Sequence, residues 1–255
     1  MDNFVDENLT AYENAIHDIR GPMTIIYTYA QLLEVTKKMP PSALEHIQTM
    51  KRNCFKALKI ITDVSDSSKI RDGYFLPNFA NTNIVQLVKN VVESTQPFTV
   101  RKNVELIFSK EFDEKIMATD KTLVERVLLN LLSNSVKHVE KGGFIKVSIK
   151  NSNEFLEISV EDNGKGIKAE VLPHIFERYH TGDSIRGKGI GLSIVREIVE
   201  VLGGSINAMS EEGKGTKMTV NLPIFLLDKE NDKPKFSDDF YVDNMVQIEL
   251  SDEFY

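Results

Sequence analysis

The apolar positions of the first seventy residues predict two amphipathic helices. In the first helix they recur at steps of three and four, as in a helix with a coiled-coil-like seam. Pro40-Pro41 ends it, because proline fixes its own backbone and disfavours helix before it. Ser42 and Glu45 form a capping box for a second helix, which ends near Gly73. The seam positions are Tyr12, Ile16, Ile19, Met23, Ile26, Ala30 and Leu33, then Leu44, Ile47, Cys54, Leu58, Ile61 and Val64.

Two helices of this size bury too little apolar surface to be stable alone. We therefore expect an α-helical hairpin that pairs with a second copy into a dimeric four-helix bundle. This unit covers residues 1–73.

After Gly73 the pattern alternates between helices and short strands. One sheet with helices over one face, an α+β two-layer sandwich, is the fold that this order favours for residues 74–226. An acidic tail, residues 227–255, follows. The predicted elements are helices near Ile84–Glu93, Lys121–Val139 and Ile190–Leu202, with strands near Val104–Phe108, Ile116–Ala118, Phe144–Lys150, Phe155–Glu161, Ser205–Met209 and Thr216–Leu222.

Composition and charge narrow the classes of protein. The 41% hydrophobic and 27% charged fractions are typical of a globular protein. The net charge is −7, but residues 228–255 hold nine acidic and three basic residues, so the remaining 227 residues carry only −1. This balance argues against nucleic acid as the main partner. The single cysteine, Cys54, excludes an intramolecular disulfide and a cysteine-built metal site.

The chain starts without a basic and apolar leader, and no apolar run approaches the roughly 20 residues that span a bilayer. We therefore expect a cytoplasmic protein without a direct membrane span, whose link to a membrane would pass through a partner.

A histidine and an aspartate lie beside the seam of the first helix. Because Ile16 and Ile19 occupy the seam, His17 and Asp18 must project towards solvent. A neutral imidazole is a good nucleophile, and an adjacent carboxylate can hold its other nitrogen and accept its proton. Gly21-Pro22 weakens the helix in the next turn. By itself such a pair is more often a surface feature than a catalytic one.

The long helix carries three polar side chains on one face, Asn130, Asn134 and Lys137, with His138 next to them. An amide oxygen can ligate a hard cation and an ammonium group can neutralise phosphate, so this face suits Mg²⁺ bound to phosphates. An ordinary amphipathic helix is the alternative interpretation.

Three glycine-rich strings follow. In Asp162–Gly166 an aspartate at a strand end can accept a hydrogen bond from the amino group of a base, and the glycines allow close approach. Gly187–Leu192 opens a helix, whose first N–H groups attract anions. It lacks the lysine–Ser/Thr ending of a P-loop and the parallel βαβ unit of a Rossmann fold. Gly213–Thr216 alone predicts a hairpin turn.

The order and spacing of these motifs over about residues 8–225 resemble the catalytic core of the two-component histidine kinases. The matching segments are His17–Pro22 for the H box, Asn130–His138 for the N box, Asp162–Gly166 for the first glycine box, Ile175–Tyr179 for the F box, Gly187–Leu192 for the second glycine box and Gly213–Thr216 for the third. The resemblance implies a hairpin for dimerisation and histidine phosphotransfer, joined to a Bergerat-fold ATP-binding domain. It implies autophosphorylation of His17 by ATP, then transfer to an aspartate of a response regulator receiver domain.

The resemblance also implies roles for individual residues. Asp18 and Arg20 would act beside His17, and Asn134 would bind Mg²⁺ with support from Asn130. Asp162 would read the adenine amino group, assisted by Thr216 through water. The remaining ATP-binding residues implied are Lys137 and His138 near the phosphates, Gly164, Gly166 and Ile167 at the adenine, Gly187, Lys188, Gly189, Ile190, Gly191 and Leu192 in the lid and phosphate loop, and Arg178 with Phe176 at the lid.

Two departures from the family pattern narrow the expectation. Gly21 replaces the threonine or asparagine that usually lies four residues after the histidine. In the family, that residue positions water for dephosphorylating the partner. Phosphatase activity is therefore not among the activities that we expect. Only nine residues, Glu177 to Ile185, separate Phe176 from Arg186, which indicates a short lid.

Three other functions remain open at this point. One is a Bergerat-fold ATPase switch, which would share the logic of Asn134 and Asp162 but lacks a histidine helix. The second is a serine kinase without histidine phosphotransfer, and the third a phosphotransfer scaffold with a decayed ATP domain. The sixteen residues before His17 are too few for a sensory domain. Either the chain is an excised core, or we expect regulation by a partner protein or by the tail.

The acidic tail generates the first prediction. Val246–Leu250 alternates apolar and polar residues, as in a strand that adds to a sheet edge, although a solvated tail is equally consistent with the composition. We expect that the tail competes with a partner or with the catalytic domain. Deleting residues 228–255 should then change the rates of autophosphorylation and phosphotransfer, measured with radiolabelled ATP. Unchanged rates would refute the competition.

Overall fold

The computed structural model describes residues 19, 21–35, 40, 42–51, 53–54, 57, 60–61, 76–177 and 191–228. Contacts divide the chain into two compact units, with the division between Phe75 and Leu76. The predicted H-box residues His17, Asp18 and Arg20 lie outside the described residues, as does the tail from residue 229 onward. The lid and loop positions Arg178, Gly187, Lys188, Gly189 and Ile190 also lie outside them.

The first unit contains two helices. Helix α1 covers residues 21–34, and helix α2 begins at residue 42 and is described continuously to residue 51, with residues 53, 54, 57, 60 and 61 also helical. Lys51 of α2 lies 2.6 Å from the carboxylate of Glu34 in α1, and its ammonium group lies 5.6 Å from the centre of the Tyr27 ring. Tyr27, Ala30, Ile47 and Cys54 are buried. The two helices therefore pack against each other.

Only some of the residues in the predicted seam of α1 are buried. Ala30 is buried, whereas Ile19, Ile26 and Leu33 are exposed. Tyr27, which the seam did not include, is buried instead. Among the described residues one neighbouring helix covers only one side of α1, and the other side is exposed. We call this side the exposed α1 surface; its residues are Ile19, Ile25, Ile26, Tyr29, Leu32, Leu33 and Val35.

The second unit is a five-stranded mixed sheet covered by helices. Its strand order is β2-β4-β5-β7-β6, in which β2 and β4 are parallel and the other neighbours antiparallel. A two-stranded sheet, β1-β3, accompanies it. The strands are β1 Ala80–Asn83, β2 Glu105–Lys110, β3 Ile116–Thr119, β4 Phe144–Ser152, β5 Phe155–Asp162, β6 Ser205–Glu211 and β7 Gly215–Pro223; the helices are α3 Ile84–Lys102, α4 Lys121–His138 and α5 Gly191–Val201, with a 3₁₀ turn at Leu172–His174.

Side chains alternate between the two faces of this sheet. The face towards the helices carries Val147, Val160 and Val220, all almost completely buried, whereas the opposite face carries pairs such as Lys146 with Glu161. This period of two, with the buried apolar residues on one face, is typical of a sheet covered by helices on one side. The α+β two-layer sandwich predicted from the sequence agrees with this arrangement.

The helices agree with the prediction except for α3. The sequence predicted an end near Glu93, but α3 continues through Pro97 to Lys102. Buried Thr95 and Thr99 keep the last turns in the core, and their packing outweighs the hydrogen bond that proline removes. Asn103 ends the helix in a left-handed conformation, with a φ angle of 57°. Strand β1 and the 3₁₀ turn were not predicted.

Helix α4 lies against the middle of the sheet. Asp120 caps it by accepting a hydrogen bond from the Leu123 N–H, at 3.1 Å, and also accepts one from the Asn78 N–H, at 2.7 Å. Leu128 and Leu132 are 1% and 0% exposed. This packing places the predicted N-box face of α4 at the edge of the core. Among the described residues, no helix is long and apolar enough to span a bilayer.

The burial of Leu132 predicts how much stability the second unit loses when a cavity is made in its core. Leu132→Ala should lower the free energy of unfolding of the second unit by about 2–5 kcal/mol, because it removes apolar contacts and leaves a cavity. Met209→Ala is the matched control, since Met209 is 73% exposed, and it should change stability by less than about 0.5 kcal/mol. Urea titration followed by circular dichroism measures both. Equal effects of the two substitutions would contradict the assigned core.

Candidate functional site

The strand register places four side chains in one row across the sheet. Ile145 of β4 is paired with Asp162 of β5, Asp162 with Thr216 of β7, and Thr216 with Ser210 of β6. Directly paired residues point to the same face of a sheet. Since Ile145 is fully buried on the helix-covered face, the polar side chains of Asp162, Thr216 and Ser210 also lie on that face.

Asp162 is the buried anion in this row. It is 8% exposed, and its Oδ2 accepts a hydrogen bond from the Ser135 hydroxyl of α4 at 2.8 Å. Its Oδ1 accepts one from the Gly164 N–H at 3.0 Å, and the Thr216 N–H also donates to the carboxylate. An ionised carboxylate has about four acceptor positions. These hydrogen bonds use only part of that capacity.

Burial has a measurable consequence for this carboxyl group. Desolvation raises the pKa of Asp162 above its ordinary value of 3.8, and the negative charge of Glu161 acts in the same direction. The hydrogen bonds from Ser135, Gly164 and Thr216 oppose this rise of the pKa. A carboxylate whose charge is incompletely compensated favours a ligand that donates hydrogen bonds to it.

The segment after Asp162 is held between two other parts of the unit. A Cβ atom at Gly164 would lie 2.5 Å from the carbonyl oxygen of His138 in α4. At Gly166 the φ angle is +65°, and a Cβ atom would lie 2.0 Å from the carbonyl oxygen of Glu211. The Gly213 N–H also donates to the Lys165 carbonyl at 2.7 Å. Side chains do not fit at these two glycines, which explains the spacing of the predicted first glycine box.

The end of the second glycine box meets the N-box helix. Gly191 begins α5, and a Cβ atom there would lie 3.1 Å from Oδ1 of Asn130. Asn130 is buried and donates through Nδ2 to the Arg126 carbonyl at 3.0 Å. An amide oxygen thus lies beside the first described residue of α5.

The other predicted residues occupy the same unit. Asn134, Lys137 and His138 are half-buried on the last turns of α4, and Leu192 is half-buried in the first turn of α5. Ile167 donates its N–H to the Ser210 hydroxyl at 2.9 Å. Phe176 lies in a groove formed with α5 and β6, beside Leu172 and Arg196.

Sequence reasoning missed two polar residues of the site, Ser135 and Ser210. Ser135 occupies a position of the apolar stripe Leu128, Leu131 and Leu132 on α4, and a serine in such a stripe indicates a buried partner. Ser210 lies three residues before the third glycine box, and only the strand register places it next to Thr216.

Known proteins resemble both the sequence and the fold. Residues 119–225 match the family model of histidine kinase-, DNA gyrase B- and HSP90-like ATPases. The chain is 31% identical over 212 residues to the sensor histidine kinase YvrG of Bacillus subtilis strain 168, which covers 80% of this chain and 36% of YvrG.

Solved structures of histidine kinases share the fold. Full-length ShkA in complex with AMPPNP superimposes with a TM-score of 0.73 at 23% identity, covering 86% of this chain and 46% of ShkA. ThkA in complex with the response regulator protein TrrA gives a TM-score of 0.59 at 22% identity, covering 84% of this chain and 60% of ThkA.

This chain carries a histidine kinase catalytic core. It corresponds to about a third of the length of YvrG and about half of that of ShkA. The predicted resemblance is confirmed. The second unit of this histidine kinase core is the ATP-binding ATPase domain, a mixed sheet with helices of the Bergerat type.

The raised pKa of Asp162 predicts how this kinase core responds to pH. Because the folded pKa exceeds the unfolded value, ionising Asp162 lowers stability as pH rises above about 4. Without nucleotide, Asp162→Asn should therefore unfold at pH 7 with a free energy equal to or greater than that of the wild type. The difference should shrink as pH falls below about 4.

Urea titrations at several pH values, followed by circular dichroism, test this. The matched control is Glu157→Gln, which neutralises a carboxylate of the same strand that lies on the opposite face of the sheet and does not contribute to the raised pKa of Asp162. A lower stability of Asp162→Asn than of the wild type at pH 7 would show that the carboxylate stabilises the unliganded fold.

Proposed function

We propose that the chain is an ATP-dependent protein histidine kinase of a two-component system. It phosphorylates its own His17 and passes the phosphoryl group to an aspartate of a response regulator receiver domain. The observation that carries this proposal is the buried acceptor Asp162 in an ATPase fold. In the sequence, the pair His17-Asp18 comes just before helix α1 of the unit that precedes this fold. The residues beyond the described part keep the roles that the resemblance implies.

The side chains of the second unit suit ATP. Asp162 has an acceptor position available for the adenine amino group, and Thr216 lies beside it in the row. Gly164, Gly166 and Ile167 form the backbone next to that position. At the other end, the proposed phosphate ligands are Lys137, His138, Gly187, Lys188, Gly189, Ile190, Gly191 and Leu192, with Arg178 at the lid.

Mg²⁺ is the proposed metal, with Asn134 as its protein ligand and Asn130 supporting. The ion commonly uses one or two protein oxygens together with substrate phosphates. Within the described ranges, no group of three or more His, Cys, Asp or Glu side chains is arranged as a metal site. That supports an ion bound mainly by nucleotide phosphates and a single amide oxygen. Its role is to neutralise phosphate charge.

The proposed chemistry uses residues 17 to 20. A ring nitrogen of His17 attacks the γ-phosphorus of ATP, a nitrogen–phosphorus bond forms, and the bond to the β-phosphate oxygen breaks to release ADP. The proton on the other ring nitrogen is held by the carboxylate of Asp18, which stabilises the imidazolium as it forms. Arg20, three residues further along the chain, supplies a positive charge. The phosphoryl group then moves to a carboxylate oxygen of the receiver aspartate, and His17 returns to its neutral form.

A response regulator and a second copy of this chain are the proposed partners. The structure of ThkA with TrrA supports the first, since a kinase of this fold contacts its regulator. The exposed α1 surface supports the second. Ile19, Ile26 and Leu33 recur every seven residues, so they form a continuous strip that a matching helix pair would cover. The proposed assembly is a homodimeric four-helix bundle with residues 1–73 from each copy.

Because ATP and receiver domains are cytoplasmic, we place the reaction in the cytoplasm.

Gly21 limits the proposal to kinase and phosphodonor activity. It is helical, and no atom of the described residues lies within 4 Å of the position of a Cβ atom, so a side chain would fit among them. The missing hydrogen-bonding group is therefore a property of the sequence and not a steric requirement of the helix. We propose that this chain lacks the residue that would position water for dephosphorylating its partner.

Labelling with radioactive Mg-ATP tests the proposed function. The wild type should gain a phosphate that is labile in acid and stable in base, as a phosphohistidine is. His17→Ala should abolish the label. Asp162→Asn should reduce ATP affinity about 10- to 100-fold, because a charged acceptor for the base is lost, whereas Glu161→Gln should label as the wild type. ATP hydrolysis without labelling would instead favour an ATPase switch, and acid-stable labelling a serine kinase.

A further inference from the structure

We propose that Ser210 is a positioning residue for nucleotide specificity. It orients the Thr216 hydroxyl so that this group presents only acceptor positions to the base, which favours adenine over guanine. The inference rests on the proposed ATP site, because it concerns the same pocket. It adds a residue of β6 that neither the resemblance nor the sequence pattern assigned.

Ser210 makes three polar contacts through one oxygen. Its Oγ accepts a hydrogen bond from the Ile167 N–H at 2.9 Å. The same Oγ lies 2.8 Å from the Gly215 carbonyl oxygen and 2.8 Å from Oγ1 of Thr216. It therefore links the first glycine box, the third glycine box and the row that contains Asp162.

Counting protons determines the direction of these bonds. A hydroxyl group has one proton to donate and two lone pairs to accept with. The carbonyl of Gly215 can only accept, so the proton of Ser210 goes to Gly215. For the third contact to be a hydrogen bond, Thr216 must donate its own proton to Ser210. This is the one arrangement in which all three contacts are hydrogen bonds, and it uses the full capacity of the Ser210 hydroxyl.

Thr216 consequently has no proton left for a ligand. Its two lone pairs still accept, and with the carboxylate of Asp162 they form a set of neighbouring acceptors, since the two residues are paired across β5 and β7. Ser135 reinforces this polarity by donating its proton to Asp162. Adenine carries a donating amino group at position 6, whereas guanine carries an accepting oxygen there. In the same position guanine would place an acceptor against two acceptors.

Removing the Ser210 hydroxyl should release the Thr216 proton. Thr216 could then rotate and donate to the oxygen of guanine, which would lower the penalty against guanine nucleotides. We define the selectivity as the Kd of GDP divided by the Kd of ADP. Ser210→Ala should lower this ratio about three- to tenfold, the worth of one hydrogen bond. A purely structural role of Ser210 would weaken both nucleotides by the same factor and leave the ratio unchanged.

Isothermal titration calorimetry of the full chain with Mg-ADP and Mg-GDP measures the ratio. Ser205→Ala is the matched control, because Ser205 is an exposed serine on the same strand but on the other face, and it should keep the wild-type ratio. Ser210→Thr keeps the hydroxyl and should also retain the ratio. Thr216→Val removes the acceptor and should lower it. In the Thr216→Val background, adding Ser210→Ala should produce no further change, since the two residues act as one unit.

The outcomes separate the inference from the function on which it rests. An unchanged ratio in Ser210→Ala, with wild-type ADP binding intact, overturns the role of Ser210 and leaves the ATP site standing. A wild type that binds neither nucleotide overturns both. Should Ser210→Ala not fold, Ser210→Cys replaces the hydroxyl by a weak thiol donor and acceptor of similar shape. Its ratio should fall as well, and an unchanged ratio there also overturns the inference.

Discussion

The nucleotide site proposed for the second unit is organised around one buried carboxylate, that of Asp162. It lies at the end of β5, where the sheet, the last turns of α4 and the glycine segment 164–166 meet. Ser135, Gly164 and Thr216 each donate a hydrogen bond to it. These bonds connect three elements that are distant in sequence. Because burial of the charge is only partly compensated, the same carboxylate is also the group most ready to accept from a ligand.

The glycines around this carboxylate follow from the same close packing. His138 and Glu211 leave no room for a Cβ atom at Gly164 and Gly166. The backbone of this segment therefore lies directly against these two carbonyl groups, next to Asp162. Gly191, at the start of α5, approaches Asn130 in a similar way and places helix N–H groups near the polar face of α4. The chemistry at both ends of the site thus results from close contacts of the backbone.

The first unit presents a different physical problem. Its two helices bury Tyr27, Ala30, Ile47 and Cys54 between them, but large apolar side chains of α1 remain exposed. Such a surface is costly in water, and a symmetric partner covers it most simply, because both copies then present the same strip. The proposed tasks of the two units are therefore separate, assembly for the first and nucleotide binding for the second.

Local patterns in the sequence determined much of this protein. The period of the apolar residues on α4, the alternation along β4, β5 and β7, and the glycine strings were sufficient to predict the sandwich and to single out Asp162 and Asn130 as candidates. Thr216 became a candidate only through the family resemblance. Helix α3 was predicted too short, because the packing of Thr95 and Thr99 is a tertiary effect that local rules about proline do not include.

Only the tertiary structure decided which distant groups meet. Ser135 and Ser210 lie in unremarkable local sequences, and it is the pairing of β5 with β7 and of β7 with β6 that brings them to Asp162 and Thr216. Likewise, both sides of α1 have an apolar pattern, and only the position of α2 decides that Tyr27 is buried while Ile26 remains exposed. The physical reason is general: periodicity specifies which face of an element is apolar or polar, whereas register and packing specify what that face touches.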